Sequence, residues 1–415
     1  MFQKLQMLFS KGMGFIYTFF LYKRKTPKKV NNKKILVIFG GHIGNALLNI
    51  DLLLRIKHLF PIEDGWQLNI FCNDGLWKVC ETIADVSGFN RIQAQYPTKD
   101  GGTRFSEVLQ TMKAVRGMEF DTIVVNLAHI MPLAAYLVAA LQANRSIGVF
   151  DDIDRRNSKL FNDIGRNVGS LRWYFERAYN TPIWVPYNTQ EVHRQKEILK
   201  QLGDTEYAVR IFPIPKLCDF TLPSEKYFTV TLDSTTSARR WAPEKFAEVI
   251  NYVLEHYDYQ VCFTGNTEAE PIYQTCIQHI KQPERTINYV NKTSFNEWVE
   301  LLRGSSFHLG VDSGSIHVAS SVGTQAFCLT GVWDGKRVLP YQIERQESGT
   351  TAPICVYMKD VDKLPCYACL PQRGLMGSEN DECYAAYRRG EPCMCLQSIQ
   401  VNDVISSITK YLSAN

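Results

Sequence analysis

Ile35-Leu-Val-Ile-Phe39, followed at once by Gly40-Gly41-His42-Ile43-Gly44, decides how the chain is to be read. Five apolar residues without a polar break are too few for a buried helix and suit a strand covered on both faces, as in a parallel sheet. The glycine turn leads into an apolar-periodic segment over 46–60, stopped by Pro61. Strand, glycine turn and helix in that order open a Rossmann-like unit.

Working outward, the alternation continues. Residues 67–72 read as strand, 76–86 as helix, 122–126 as strand, 131–143 as helix and 146–149 as strand, which predicts one α/β domain over 33–185. Thr181-Pro182 through Pro186, then an amphipathic helix over 190–202 ended by Gly203, look like a connector; Pro213, Pro215 and Pro223 extend it to 224. The pattern then restarts, with strands expected over 227–232, 260–264, 307–311 and 325–329. Helices are expected over 243–256, 294–303 and 316–322. This second α/β domain spans 225–360, and residues 361–415 form a cysteine-rich segment with a C-terminal helix. Two such domains predict a cleft between them in which a small ligand binds.

Composition agrees with a globular chain and locates an unusual charge. The 415 residues are 45% hydrophobic and 21% charged, outside the ranges of disordered or disulfide-scaffold sequences. The net charge of +4 comes from 46 Lys+Arg against 42 Asp+Glu, but Lys4, Lys11, Lys23, Arg24, Lys25, Lys28, Lys29, Lys33 and Lys34 all precede the first acid, Asp51. Setting those nine aside leaves 37 basic residues against 42 acidic ones. The body is slightly acidic, which argues against nucleic acid as a partner, and the basic arm 1–32 asks for a local anionic one.

Within that arm, Gly12-Met-Gly-Phe-Ile-Tyr-Thr-Phe-Phe-Leu-Tyr22 is apolar and aromatic but too short to cross a bilayer. The sequence fits an interfacial anchor with basic flanks, placed at the inner face of the cell membrane and leaving the body cytoplasmic. A helix packed on the protein's own surface is the plainer reading. A signal peptide is a third, although Lys23-Arg-Lys-Thr-Pro follows where a cleavage site belongs.

Three segments carry candidate chemistry. Leu232-Asp-Ser-Thr-Thr-Ser-Ala-Arg239-Arg240-Trp241-Ala-Pro243 leaves a strand and opens a helix, offering hydroxyls and two guanidinium groups to phosphates, or merely a solvated loop. Gly310-Val-Asp312-Ser313-Gly314-Ser315-Ile-His317 does the same, and its N–H groups form an anion site or simply a helix cap. His317, in the first turn, faces the ligand or packs in the core. Among twelve cysteines, Cys366-x-x-Cys369, Cys383 and Cys393-x-Cys395 crowd together. Four of them, with Cys366, Cys369, Cys383 and Cys395 as the set, fit a closed structural site for zinc or iron; reduced thiols and disulfides are the alternatives.

Taken in order, these pieces resemble glycosyltransferase family 9, the ADP-heptose-dependent heptosyltransferases of lipopolysaccharide synthesis. The resemblance runs from Lys33 to the end. It rests on the Ile35–Leu48 opening, Phe120-Asp-Thr-Ile-Val-Val-Asn-Leu127, Arg145-Ser-Ile-Gly148, Arg239–Phe246, Phe263-Thr-Gly-Asn-Thr-Glu268 and, above all, Gly310–Ala319. It implies a GT-B fold, two Rossmann-like domains facing each other across a cleft, the first binding the acceptor and the second the nucleotide sugar. It implies inverting transfer without a catalytic metal, from ADP-heptose to a lipid-linked glycan or, in a variant of the class, to a protein. By the same resemblance Arg239, with Arg240 beside it, meets the diphosphate, as do the N–H groups of Ser313 and Gly314. Asp312 holds sugar hydroxyls, and Glu268, after Gly265, accepts from the ribose. The family's catalytic acid falls at Asn45, whose amide takes no proton at neutral pH. The base is then relocated, with His42, Asp151 and Asp152 as candidates, or the chain is a non-catalytic subunit that binds nucleotide sugar or glycan. A nucleotide-sugar epimerase shares the architecture but not the Asp312 segment.

Overall fold

The computed structural model describes residue 16 and residues 31–41, 43–92, 105–126, 132–151, 179–186, 188–234, 239–331, 336–363 and 391–414. The chain divides into two compact units, with the boundary between Ala208 and Val209.

The first unit is built on six parallel strands: β1 (Lys34–Phe39), β2 (Gln67–Phe71), β3 (Phe89–Arg91), β4 (Thr122–Asn126), β5 (Arg145–Asp151) and β6 (Thr181–Val185), in the order β3-β2-β1-β4-β5-β6. With them come helices α1 (Ile43–Leu59), α2 (Asp74–Ile83), α3 (Phe105–Ala114), α4 (Pro132–Leu141) and α5 (Glu191–Leu202). The uninterrupted apolar run of β1 has the reason the sequence suggested. Leu36 and Ile38 join a core with Leu137 and Val138 of α4, while Ile35 and Val37, on the opposite face, are just as buried.

The segment after residue 180 is more than a connector. Residues 181–185 form the edge strand β6, where Pro182, opposite Gly148, removes a donor that an edge can spare. The buried face of α5, with Val192, Ile198, Leu199 and Leu202, packs on α1, β5 and β6 and draws it into this unit. Arg55 bonds Asp204 at 2.5 Å and the Tyr207 hydroxyl donates to the buried Asp51 at 3.2 Å, holding the following turn.

The second unit repeats the winding. Strands β7 (Tyr227–Thr231), β8 (Gln260–Thr264), β9 (Thr286–Asn288), β10 (His308–Val311), β11 (Ala326–Leu329) and β12 (Ile354–Val356) lie in the order β12-β11-β10-β7-β8-β9, all parallel. Helices α6 (Pro243–His256), α7 (Glu270–Ile277), α8 (Phe295–Arg303), α9 (Gly314–Ser321), α10 (Met394–Gln397) and α11 (Val401–Ala414) accompany them. Its core is aromatic: Phe228 stacks on Phe307 at 4.7 Å, Phe327 meets Phe307 edge-on at 5.7 Å, and Trp241 meets Phe246 edge-on at 5.0 Å. Local signals set the helix starts. Pro243 occupies the first turn of α6, and Ser294 with Glu297 forms a capping box on α8.

Each sheet therefore reads 3-2-1-4-5-6 in its own strand numbering, the doubly wound order. In each, the direction of winding reverses between the first and fourth strands, at β1/β4 and at β7/β10. The crevice outside the strand ends at such a reversal is where open α/β sheets bind ligands.

Candidate functional site

In the second unit the reversal point collects charge. β7 ends at Thr231 and runs through buried Leu232 to Asp233; β10 ends at Val311 and runs directly into Asp312, only 5% exposed. Arg239 reaches between these strand ends, its Nη1 3.1 Å from the Asp312 carbonyl oxygen and 3.6 Å from Oδ2. Arg240 turns to the other acid, with Nε 2.5 Å from Asp233 Oδ1, which also accepts from the Ser234 amide at 2.7 Å. Trp241, buried next to the two arginines in sequence, and Gln397, which donates to the Arg240 carbonyl at 2.9 Å, anchor the segment. The loop 235–238 lies outside the described residues.

Ser313 is the N-cap of α9 with an extended backbone, so the first N–H groups of the helix, from Gly314 on, point out of its N-terminus beside Asp312. His317, one turn in, is buried and bonded through Nδ1 to the Tyr341 hydroxyl. Burial pushes its pKa down to about 4 against the opposing pull of Asp312, so the imidazole is neutral at physiological pH. His317 thus belongs to the wall beneath the site. Gly265 and Glu268 follow β8, the neighbour of β7: a Cβ on Gly265 would come within 2.6 Å of the Ala269 Cβ, and the short turn over Thr267–Ala269 leaves Glu268 exposed at this sheet edge.

The first unit's reversal point is chemically different. Asn45 lies in the first turn of α1, its side chain folded over Gly41. The Asn45 backbone carbonyl accepts from Asn49 Nδ2 at 2.7 Å, Asn126 at the end of β4 donates to Asn49 Oδ1, and Asn73 donates to the Gly41 carbonyl at 3.1 Å. This is a row of neutral amides. Asp151 ends β5 on the same edge of the sheet, two strands from β1 and so roughly 10 Å to the side. His42 and Asp152 lie outside the described residues.

Of the proposed thiolate set, Cys366, Cys369 and Cys383 lie outside the described residues; Cys395 is buried in α10 with Sγ against Gly331. Cys393, two residues earlier, is the N-cap of that helix. Among the described residues no three His, Cys, Asp or Glu side chains converge to hold a metal. The arm 1–30, except Ile16, also lies outside them, and no described helix is long and apolar enough to cross a membrane.

Sequence reasoning missed Asp233, Tyr341, and the amides Asn49 and Asn126. Asp233 carried a usable signal: like Asp312, it stands just past the C-terminal end of a parallel strand at the reversal point. Tyr341 had none, being 24 positions from His317 in an irregular segment.

Two Rossmann-like parallel sheets, each doubly wound with its own reversal point, are the build of the GT-B fold. The chain belongs to glycosyltransferase family 9 (heptosyltransferase), whose model matches residues 108–366. It is 26% identical over 307 residues to lipopolysaccharide heptosyltransferase 3 of Escherichia coli K12, covering 70% of this chain and 80% of that one. Among solved structures, a family 9 glycosyltransferase from Veillonella parvula superposes with a TM-score of 0.64 at 15% identity, over 94% of this chain and all of that one. The E. coli ADP-heptose lps heptosyltransferase II does so with a TM-score of 0.56 at 14% identity, over 92% and 99%.

Proposed function

We propose that the protein transfers a heptose, with inversion, from ADP-heptose to a lipid-linked glycan of the lipopolysaccharide type. The observation that carries this reading is the pairing of Arg239 with Asp312 at the β7/β10 reversal point, beside the N-terminus of α9. Direct displacement at an anomeric carbon requires stabilisation of the departing diphosphate and a base for the acceptor hydroxyl. Arg239 and the α9 amides meet the first requirement, with the Arg240–Asp233 pair holding the segment in place. Asp312 accepts from sugar hydroxyls, and exposed Glu268 accepts from the ribose. The acceptor oxygen loses its proton to the base, forms the bond to the anomeric carbon from the opposite face, and ADP leaves with the bonding electrons. The phosphate charge is met by these groups rather than by a divalent ion.

The base is relocated from Asn45 to His42, Asp151 or Asp152. The basic aromatic arm holds the cytoplasmic body at the inner membrane surface, next to a lipid-linked acceptor. A protein acceptor is the variant of this reading. Cys366, Cys369, Cys383 and Cys395 form a closed structural thiolate site for zinc or iron, in which buried Cys395 ties the segment to the end of β11 through Gly331.

Incubation of the purified protein with ADP-heptose and a truncated lipopolysaccharide acceptor tests the reading. An inverted glycosidic product formed equally well in EDTA supports it; no transfer or hydrolysis of any ADP- or UDP-sugar refutes it. The amide row around Asn45 favours a second reading, a non-catalytic subunit that binds nucleotide sugar or glycan. Activity appearing only in Asn45→Asp supports that alternative, whereas loss of activity in His42→Ala supports a relocated base.

A further inference from the structure

Beneath the N-terminus of α9 runs a buried chain of hydrogen bonds that the proposed chemistry does not use. Ser313 Oγ lies 2.9 Å from Ser315 Oγ, which lies 3.0 Å from His308 Nε2. His308 Nδ1 lies 3.0 Å from Thr229 Oγ1, and Thr229 Oγ1 lies 3.1 Å from Ser305 Oγ. Ser305 ends the chain by donating to the Phe307 carbonyl at 2.5 Å. All but Ser313 are buried.

That last carbonyl can only accept, and each hydroxyl has one proton. Ser305 spends its proton on Phe307 and must accept from Thr229. Thr229 then has none left for His308, so Nδ1 carries a hydrogen and donates to it. Burial holds His308 neutral, its pKa pushed down to about 3, so Nε2 is bare and accepts from Ser315. Ser315 in turn accepts from Ser313. Every donor in the chain points inward.

We infer that Ser313 Oγ faces the ligand as a hydrogen-bond acceptor, and recognises a hydroxyl of the donor sugar rather than an oxygen of its diphosphate. The inference rests on the nucleotide-sugar reading of this site and sharpens it: the backbone amides of α9 serve the anion, and the Ser313 side chain, half-exposed at the cap, selects for the polyol. His308 is a positioning residue, since it touches no ligand and acts by fixing the direction of Ser315 and Ser313.

Two measurements test this. Nitrogen-15 NMR of imidazole-labelled protein without ligand should show His308 as the Nδ1–H tautomer. Calorimetry with ADP and with ADP-heptose should show Ser313→Ala binding ADP within twofold of wild type and ADP-heptose about threefold to tenfold more weakly. An Nε2–H tautomer in the wild type overturns the direction of the chain whatever binds. Equal weakening of both ligands shows a phosphate contact and overturns the inference, as does weakening of neither. Failure of the wild type to bind either nucleotide overturns instead the reading on which it rests, and the NMR result still decides the direction.

Discussion

Replacing Arg239 with alanine separates a binding arginine from a structural one. Its Nη1 sits 3.6 Å from Asp312 Oδ2 and 3.1 Å from the Asp312 carbonyl, and the arginine side chain is 24% exposed. At an effective dielectric of about 20 the charge pair is worth roughly 4–5 kcal/mol before desolvation, most of which burial of Asp312 cancels. Losing the arginine takes one partner from that buried carboxylate, a destabilisation of about 2 kcal/mol, or a drop in Tm of about 4–8 °C for a unit of this size. The loss for a diphosphate ligand is that of a charge-assisted hydrogen bond, about 1.5–3 kcal/mol, which is roughly tenfold to 150-fold in Kd. Titration calorimetry with ADP at low salt is the assay, with circular dichroism to confirm folding. Arg239→Lys should fall between wild type and alanine because it keeps the charge and loses the fork. The double variant Arg239→Ala/Asp312→Asn should recover the melting temperature but not the affinity. ADP affinity within twofold of wild type in folded Arg239→Ala refutes the assignment of Arg239 to the phosphates.

Four further outcomes follow from particular residues. Gly41→Ala places a methyl 2.3 Å from Asn45 Oδ1 at a φ of +129°, so the first unit should lose about 2 kcal/mol or more, read as a lower Tm. His308 takes up its proton at about 3 when folded and near 6.5 when unfolded, so stability is intact above pH 6.5 and falls as pH drops from there toward 3, by up to about 1.4 kcal/mol per pH unit. His317 adds to this with the same sign, and urea melts at pH 7 and pH 5 that give equal stability would contradict both. Deletion of residues 1–30 should release the protein from anionic vesicles and leave ADP affinity unchanged; loss of both would make the arm part of the fold. Metal analysis of the purified protein should find about one zinc or iron per chain, lost in Cys395→Ser, and metal-free wild type would overturn the thiolate site.

What the sequence disclosed depended on how local the cause was. β1 announced itself because a strand covered on both faces has no polar positions, and α6 because Pro243 and a 3.6-residue period mark its start and face. Strands β3, β9 and β12 have three residues each, too few for any period to register, and exist because a neighbouring strand offers them an edge. β6 was hidden by Pro182, which reads as a breaker until its place at the edge of the sheet is known. In the site, Arg239 and Asp312 were visible because each stands next to a strand or helix end. The pairing of Arg240 with Asp233 depends on a turn, and the partners of His308 lie at positions 229 and 315. No window of sequence contains that chain; only the fold brings it together.

The two reversal points use one topology for opposite chemistry. At β7/β10 the strand ends carry two acids and two arginines, pre-paired so that a diphosphate displaces interactions already organised around charge. At β1/β4 the corresponding positions are Asn45, Asn49 and Asn126, which donate and accept but carry no charge. Amides of this kind suit the hydroxyls of a sugar acceptor, whose binding needs hydrogen bonds of both polarities and no counter-charge. The same neutrality means that none of the three can hold the proton released by an attacking hydroxyl. On the proposed reading Asn45 is an amide that keeps the shape of the turn over Gly41 while giving up the proton transfer. The base must then approach the acceptor from another strand end or loop of the same edge. Asp151 at the end of β5 meets that condition by topology, and Asp151→Asn should abolish transfer while leaving ADP binding within twofold of wild type. Transfer at wild-type rate in that variant would remove Asp151 and leave the proton to His42 or Asp152.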